Sequence, residues 1–298
     1  MVKRVLVTGG AGFIGKALCR RLLKAGYEVH VLDLMPYLCS SIDGTIRHEG
    51  DITDAKLKDA DFWKKIDVCY HLAAMANVND CRMFHDDAFR VNLYGTFNIA
   101  EACRRNDIPL IFISTCCVYG NTPQHPSTED GPTCPMDLYG ATKRAGEEIV
   151  KLLPHWVILR YGTTVGPEMR PALATSIFLD QAHNGKPFTI TGNGQQTRNW
   201  IYIDDLVEGC YLVLKKNVKN EVINLAGKKS YTVYRMAEIC AEVVNGTAAN
   251  TSWEFLPARE GDVFREDISI KKAKKLLGWQ PKVDLKEALE ISYKRRYR

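Results

Sequence analysis

Tyr139 and Lys143 stand four residues apart in Tyr139-Gly140-Ala141-Thr142-Lys143, at the start of a stretch with helical periodicity that continues through Arg144-Ala145-Gly146-Glu147-Glu148. On a helix this spacing puts both side chains on one face. A free tyrosine, with a pKa near ~10, is a poor base at neutral pH; an ammonium one turn away stabilises its phenolate and creates a base able to take a hydroxyl proton. The pair alone is a common surface pattern. A second motif upstream gives it meaning: Thr8-Gly9-Gly10-Ala11-Gly12-Phe13-Ile14-Gly15 follows a strand-like run, Arg4 to Thr8, and opens a helix from about Phe13 to Lys24. Glycines placed this way let the chain turn tightly, bring its amides up to a pyrophosphate, and pack the helix on the strand. Asp33 closes the next strand-like run, where a carboxylate would accept from a ribose hydroxyl. It repels a 2′-phosphate, and Leu34 beside it offers no guanidinium to bind one, so the pattern predicts NAD rather than NADP.

The elements that must position these residues are also legible. Arg4 to Thr8, Val29 to Asp33, Thr45 to His48, Val68 to Leu72, Pro109 to Ser114 and Val157 to Tyr161 are short apolar runs, separated mostly by stretches of helical periodicity. Near-continuous apolar strands alternating with helices predict an α/β fold with a doubly wound parallel sheet covered on both faces, its ligand at the carboxyl ends of the strands. From about Gly162 the glycine and proline content rises and shorter strands follow: Phe188 to Thr191, Asn199 to Ile203, Val222 to Leu225 and Ser252 to Phe255. The expected division is therefore a cofactor domain over residues 1–161, and a smaller C-terminal α/β substrate lobe over 162–298 with some segments returning to the sheet.

Composition sets the outer bounds. With 298 residues, 46% hydrophobic and 25% charged, the chain fits neither a disordered nor a membrane class, and no apolar run spans a bilayer. A cytoplasmic protein without membrane partners is expected. Net charge is +5, and the dense basic tail (Lys271, Lys272, Lys274, Lys275, then Lys294, Arg295, Arg296 and Arg298) is interleaved with leucines, as on solvated helix faces, so no nucleic acid partner is expected. The ten cysteines show no Cys-x-x-Cys pair or zinc-like spacing, which predicts free thiols and no metal.

The ordered motifs resemble the extended short-chain dehydrogenase/reductase family, the NAD-dependent nucleotide-sugar epimerases and dehydratases built on a Rossmann sheet, over essentially the whole chain. The matching segments are Thr8–Gly15, Gly50-Asp51-Ile52, His71-Leu72-Ala73-Ala74, Val91-Asn92-Leu93-Tyr94-Gly95-Thr96, Ser114-Thr115 with Val118-Tyr119-Gly120, Tyr139 to Lys143, and Arg160-Tyr161 with Gly166-Pro167. Gly192 to Arg198 with Tyr202 to Asp205, Pro257 to Asp262, and Lys275 to Trp279 follow. The resemblance implies that Gly9, Gly12, Phe13, Ile14, Gly15, Asp33, Asp51, Ile52, Leu72, Ala73, Ala74 and Asn92 line the cofactor, together with Tyr139 and Lys143. It makes Tyr139 the catalytic base, Lys143 its ribose-bound partner and Thr115 the hydroxyl that orients the reacting sugar oxygen. Arg198 and Arg259 fall where the family grips the substrate diphosphate, a role suited to guanidinium. A homodimer through a four-helix bundle is implied, formed by the Asp86–Arg104 and Tyr139–Leu152 helices. His71 is expected to be structural.

The departures from the family narrow the reaction. Sugar 4,6-dehydratases carry Asp and Glu after the Thr, as acid and base; this chain has Cys116 and Cys117, with Cys116 a substrate-facing position. The resemblance also covers uronic-acid decarboxylases, which carry a Glu in this turn that is absent here. Epimerisation at C4 of a UDP-hexose or UDP-hexuronate through a transient 4-keto sugar asks for neither. Cys117 stands where a 3,5-epimerase relative has a catalytic cysteine, which keeps that reading as an alternative and Cys117 as a candidate. A 4-keto-sugar reductase is a further alternative, disfavoured by Asp33. Outside enzymes, nucleotide-sensing members of the fold tend to lack the Tyr/Lys pair that this chain keeps. Thr163 replaces an Asn at a substrate-facing position, and Glu168-Met169-Arg170-Pro171 resembles UDP-glucuronate 4-epimerases, in which an Arg at the place of Arg170 grips the C6 carboxylate.

Overall fold

Runs such as Val5-Leu6-Val7 and Leu110-Ile111-Phe112 are apolar on both faces of a strand, so they are stable only in a sheet covered on both sides. The computed structural model, which describes residues 3–35, 42–249, 251–258 and 261–297, shows that sheet. Its strands and those of the smaller sheets are, in chain order, β1 (Arg4–Thr8), β2 (Glu28–Asp33), β3 (Thr45–Glu49), β4 (Val68–His71), β5 (Leu110–Thr115), β6 (Trp156–Tyr161), β7 (Thr163–Val165), β8 (Phe188–Thr191), β9 (Thr197–Tyr202), β10 (Glu221–Leu225), β11 (Ser230–Thr232) and β12 (Trp253–Leu256). The helices are α1 (Phe13–Lys24), α2 (Val78–Met83), α3 (His85–Phe89), α4 (Thr96–Arg105), α5 (Leu138–Val150), α6 (Ala174–His183), α7 (Ile203–Lys215), α8 (Val233–Asn245), α9 (Lys271–Leu277) and α10 (Leu285–Tyr297).

The chain folds as two units. The first comprises Met1–Val118, Pro135–Arg160 and Val207–Ile223; the second comprises Tyr119–Cys134, Tyr161–Leu206 and Asn224–Arg298. The seven-stranded sheet has the order β10-β6-β5-β4-β1-β2-β3. β1 pairs in parallel with β2 and with β4, β2 with β3, and β4 with β5. The order reverses between β1 and β4, which opens a crevice at the carboxyl ends of those two strands. Under the sheet, Leu6, Leu32, Trp63, Ile99, Phe112, Val150 and Ile158 form one buried cluster with Ile52. Each large apolar side chain so buried contributes about 2 kcal/mol.

Between α3 and α4 the helix passes through a π-turn, Arg90–Gly95, where the sequence alone reads as one uninterrupted helix. Gly95 sits there because a Cβ would stand 2.6 Å from Ile52 Cδ1. In the second unit, β11, β9 and β7 form a three-stranded sheet, and β12 pairs in parallel with β8. Val222 to Leu225, read from sequence with the second lobe, forms most of β10 and edges the large sheet beside β6. No described helix is long and apolar enough to cross a membrane.

Candidate functional site

The glycine turn is built so tightly that side chains are excluded. Gly9 has φ +68°, and a Cβ there would lie 2.7 Å from the backbone nitrogen of Ala73; one on Gly10 would lie 2.7 Å from Val31 Cγ1. A Cβ on Gly15 would run into the Gly9 carbonyl. The Gly9 N–H donates to Leu32 O at 2.9 Å and the Gly12 N–H to Gly9 O at 3.1 Å, so the turn is fastened to β2 and to itself. Gly12 is the N-cap of α1, and no side chain caps this helix. The amides of Phe13, Ile14 and Gly15 in its first turn are therefore left to an anion, and the bare glycine surface lets one approach.

Asp33 at the end of β2 accepts from the Ala11 N–H at 3.0 Å, which holds its carboxylate against the turn. Leu34, which follows it, is exposed. Asp51 accepts from the Thr53 N–H at 2.8 Å, and Ile52 packs beneath the π-turn with its carbonyl bonded by Asn98 Nδ2 at 2.9 Å. The segment Leu72–Ala74 leaves β4 next to the glycine turn: the Leu72 N–H donates to Thr8 O and the Ala73 N–H to Thr8 Oγ1, both at 3.2 Å. These residues fit a dinucleotide: a cradle that a Cβ would fill, an uncapped helix start, and a carboxylate at the end of the second strand.

Asn92 is turned inward instead. It is 1% exposed, accepts from the Met75 N–H at 2.8 Å, and donates through Nδ2 to Met75 O and Thr142 Oγ1, each at 3.1 Å. It thereby pins the loop that carries Ala73 and Ala74 to the helix that carries Lys143.

α5 starts at Asp137, whose carboxylate caps the Gly140 N–H at 2.7 Å, so Tyr139 lies in the first turn and Lys143 in the second. Tyr139 is half-buried. Lys143 is 2% exposed, with Nζ 4.1 Å from the centroid of the Phe112 ring. Burial draws its pKa down to about 7, against the upward pull of Glu147. Gly146 permits this packing, since a Cβ there would stand 3.0 Å from Phe112 Cζ. Glu147 is fully buried against Arg160 and Ser114, an ion pair that sequence reasoning missed because its members lie on a helix and a strand.

At the end of β5 the Thr115 hydroxyl oxygen accepts from the Cys117 N–H at 3.1 Å, so its proton is the part left to offer to an acceptor. Gly140, next to Tyr139, would meet the Cys117 carbonyl at 3.0 Å if it had a Cβ, so the Thr115-Cys116-Cys117 turn packs on the first turn of α5. Cys116 is 2% exposed and packs inside, whereas Cys117 is half-buried. None of the nine described cysteines is in a disulfide, and among the described residues no three His, Cys, Asp or Glu side chains cluster as metal ligands.

In the second unit, Thr163 opens β7 and is half-buried. Arg170 is exposed in the turn before α6, its carbonyl accepting from the Leu173 N–H at 3.1 Å. Arg198 on β9 donates to Thr197 O at 2.8 Å and to Val263 O at 2.5 Å, and pairs with Asp262. Its guanidinium thus straps the 262–263 segment to β9, a tie between residues too far apart in sequence to be read from spacing. Buried Glu266 accepts from the Asn199 N–H at 3.1 Å, and burial pushes its carboxyl up. Arg259 lies outside the described residues.

Residues 5–226 match the model of the NAD dependent epimerase/dehydratase family. The chain belongs to that family. Among solved structures, this epimerase/dehydratase family member superposes with a TM-score of 0.90 on UDP-glucuronic acid 4-epimerase from Bacillus cereus, in complex with UDP-glucuronic acid and NAD; the two are 33% identical and 98% of each chain is covered. UDP-glucose 4-epimerase from Thermotoga maritima, with UDP-glucose, gives a TM-score of 0.89 at 29% identity, again over 98% of each chain. By sequence it is 31% identical to UDP-glucuronic acid decarboxylase 1 of Danio rerio over 303 residues, covering 96% of this chain and 71% of the relative. The family member is an NAD-dependent enzyme on a Rossmann-type sheet.

Proposed function

We propose that this enzyme inverts C4 of a UDP-hexose or UDP-hexuronate through a transient 4-keto sugar. The observation that carries the reading is the Tyr139–Lys143 turn of α5 packed on Thr115-Cys116-Cys117, a base with a hydroxyl beside it and no carboxylate in the turn. The Gly9–Gly15 turn, Asp33, Asp51, Ile52 and Leu72–Ala74 would hold NAD, and Thr163 and Arg170 are the residues offered to the nucleotide sugar.

NAD held by these residues would supply a reversible hydride acceptor for the sugar carbon. The Tyr139 phenolate takes the proton of the C4 hydroxyl, while the Thr115 hydroxyl, its lone pair engaged by Cys117, donates to the same oxygen and orients it. Lys143, kept from water by Phe112 and its own helix, is the residue whose positive charge would stabilise the Tyr139 phenolate. Once the ketone presents its other face, Tyr139 returns the proton.

A decarboxylase is the second reading, favoured by the likeness to the Danio rerio enzyme. Against it stands the turn Thr115-Cys116-Cys117-Val118-Tyr119-Gly120, which has no Glu. Proton NMR with catalytic NAD and either UDP-glucuronate or UDP-glucose separates the two. A C4 epimer without net NADH is the expected product; a UDP-pentose would establish decarboxylation instead.

A further inference from the structure

β3 is an edge strand of the seven-stranded sheet, and none of its five residues is buried. Its hold on β2 therefore depends on the backbone ladder and on side-chain ties, and the main tie is made by two imidazoles. His30 of β2 is 3% exposed, and its Nδ1 lies 2.9 Å from Nε2 of His48 on β3. The ring planes are 6° apart and their centroids 5.2 Å apart, the spacing of two rings joined end to end by an N–H···N bond. On its other side, His30 Nε2 donates to Glu28 Oε1 at 2.9 Å. That settles the hydrogens of the neutral pair: His30 Nδ1 is left bare and accepts from His48 Nε2–H. His48 also stacks on Phe62, with centroids 4.4 Å apart, and Phe62 lies against Trp63, whose Nε1 donates to Leu57 O at 2.8 Å.

This tie bears on the cofactor loop. Immediately after β3 the Gly50 N–H donates to Asp33 O at 3.1 Å, and Asp51 and Ile52 follow. The loop from Asp51 to Trp63 is anchored at its start by the seat of β3 on β2, and at its end by the stack on His48. A first proton taken from solvent can sit on His48 Nδ1 and leave the N–H···N bond intact. A second has only the nitrogens that face each other, and puts a hydrogen on both; the bond is lost and two like charges meet.

The charged groups around the pair are mostly engaged with one another. β1 brings Arg4, paired with Asp67, and β3 itself brings Arg47 and Glu49, on the opposite face from His48 by strand alternation. The turn Asp61–Lys65 brings Lys65, and Lys64 paired with Asp61; the turn Ala55–Asp59 brings Lys56, Lys58 and Asp59, the last paired with Arg105. α4 adds Glu101, paired with Arg104 and Arg105, and α1 adds Lys16, Arg20, Lys24 and Arg21, the last paired with Glu208. Burial first, then His30, then Lys65 lower the His48 pKa from its ordinary value, so the closed pair resists a proton that an opened one accepts.

We propose that the His30–His48 bond is a proton-sensitive staple on the cofactor loop, which holds with at most one added proton, parts with the second, and weakens NAD binding when it parts. Both histidines are positioning residues, and the proposal rests on the reading that Asp51 and Ile52 lie along the cofactor. By linkage, acid that opens the staple lowers NAD affinity, and bound NAD resists the opening.

The decisive variant is His48→Gln, whose side-chain N–H can still donate to His30 Nδ1 but does not titrate. NAD dissociation constants are measured by calorimetry at pH 7.5 and pH 5. The rise in Kd between them should be about three- to tenfold larger in the parent than in His48→Gln, the effect of a half to one pKa unit between free and bound protein. Lys143, near 7, gains its proton in both proteins and cancels from the comparison, and His71 stays neutral throughout. In the cofactor-free parent with ¹⁵N-labelled histidine, an NMR coupling across the N–H···N bond should be present at pH 7.5 and weaken toward pH 5. Equal rises in Kd, or a coupling that is absent at pH 7.5 or unchanged at pH 5, overturn the proposal. Asp51→Ala tests the underlying reading separately: unchanged NAD affinity in that variant at pH 7.5 would remove Asp51 from the cofactor site, whatever His48→Gln does.

Discussion

The hydroxyl of Thr8 lies 2.7 Å from Nδ1 of His71, at the point where β1 and β4 deliver their loops to the cofactor crevice. The bonds around this contact run in one direction. The Ala73 N–H donates to Thr8 Oγ1 at 3.2 Å, and Thr96 Oγ1 spends its proton on Asn92 O at 2.6 Å. Thr96 must therefore accept from His71 Nε2–H, 3.1 Å away, and Nδ1 must accept from Thr8. Neutral His71 satisfies every member of the chain.

His71 consequently resists protonation: burial first, and the Lys143 charge second, lower its pKa from 6.5 to about 3. Below about pH 6.5 the unfolded chain binds a proton that the native state refuses, so stability falls as pH drops toward 3. Urea unfolding at pH 6.5 and pH 5 should differ by about 2 kcal/mol from this group alone. His71→Gln, less stable at either pH, should lose that part of the slope; an unchanged slope would refute the account. Lys143, lowered from 10.5 to about 7, acts in a higher window, where stability rises as pH climbs from about 7.

Tyr139→Phe removes the base and little else. Turnover should drop about 10²- to 10⁴-fold while NAD affinity is retained, measured by steady-state rates and by titration with the cofactor. Unchanged turnover would remove the mechanism.

Cys117 tests the 3,5-epimerase alternative. Its thiol lies in the turn packed on Gly140, but C4 inversion asks nothing of it. Cys117→Ser should keep full activity, and product formed in deuterium oxide should carry no deuterium on carbon. Label at C3 or C5 would transfer the chemistry to this thiol.

Arg170 separates acidic from neutral sugars. If its exposed guanidinium reads the C6 carboxylate, Arg170→Ala should raise KM for UDP-glucuronate about 10- to 100-fold, the scale of a charge-assisted bond, and leave UDP-glucose kinetics alone. Equal effects on both substrates would dismiss the reading.

Phe89, Tyr94 and Phe97 are exposed along the helix from α3 to α4 and, with Ile149 of α5, line an open apolar groove. We infer that a second copy of the chain covers it. Phe97→Asp should convert a dimer to a monomer in sedimentation velocity; a parent that already sediments as a monomer would end this assignment.

Much of the first unit was legible because its strands are apolar runs and its glycine turn has one physical explanation. Arg4–Thr8 and Phe13–Lys24 have the bounds expected from sequence. β7 and β11 are not legible because three residues carry no period, and the sequence leaves open which later segment returns to the large sheet, because partner choice is not local; β10 is that segment. At the site, Tyr139, Lys143 and Thr115 were visible as types at fixed spacing. The inward turn of Asn92, the Glu147–Arg160 pair and the Asp262 strap on Arg198 were not, since each depends on which faces meet after folding.

The return of Val207–Ile223 to the first unit matters for a chain made from its amino end. On the ribosome, β6 is complete at residue 161, but its partner β10 emerges only after β7, β8 and β9 have been made. Throughout that interval β6 is an open sheet edge, a template for pairing with the wrong strand. A truncation before Glu221 would make that transient edge permanent, so fragments ending there should aggregate even though every residue of the Tyr139–Lys143 turn is present.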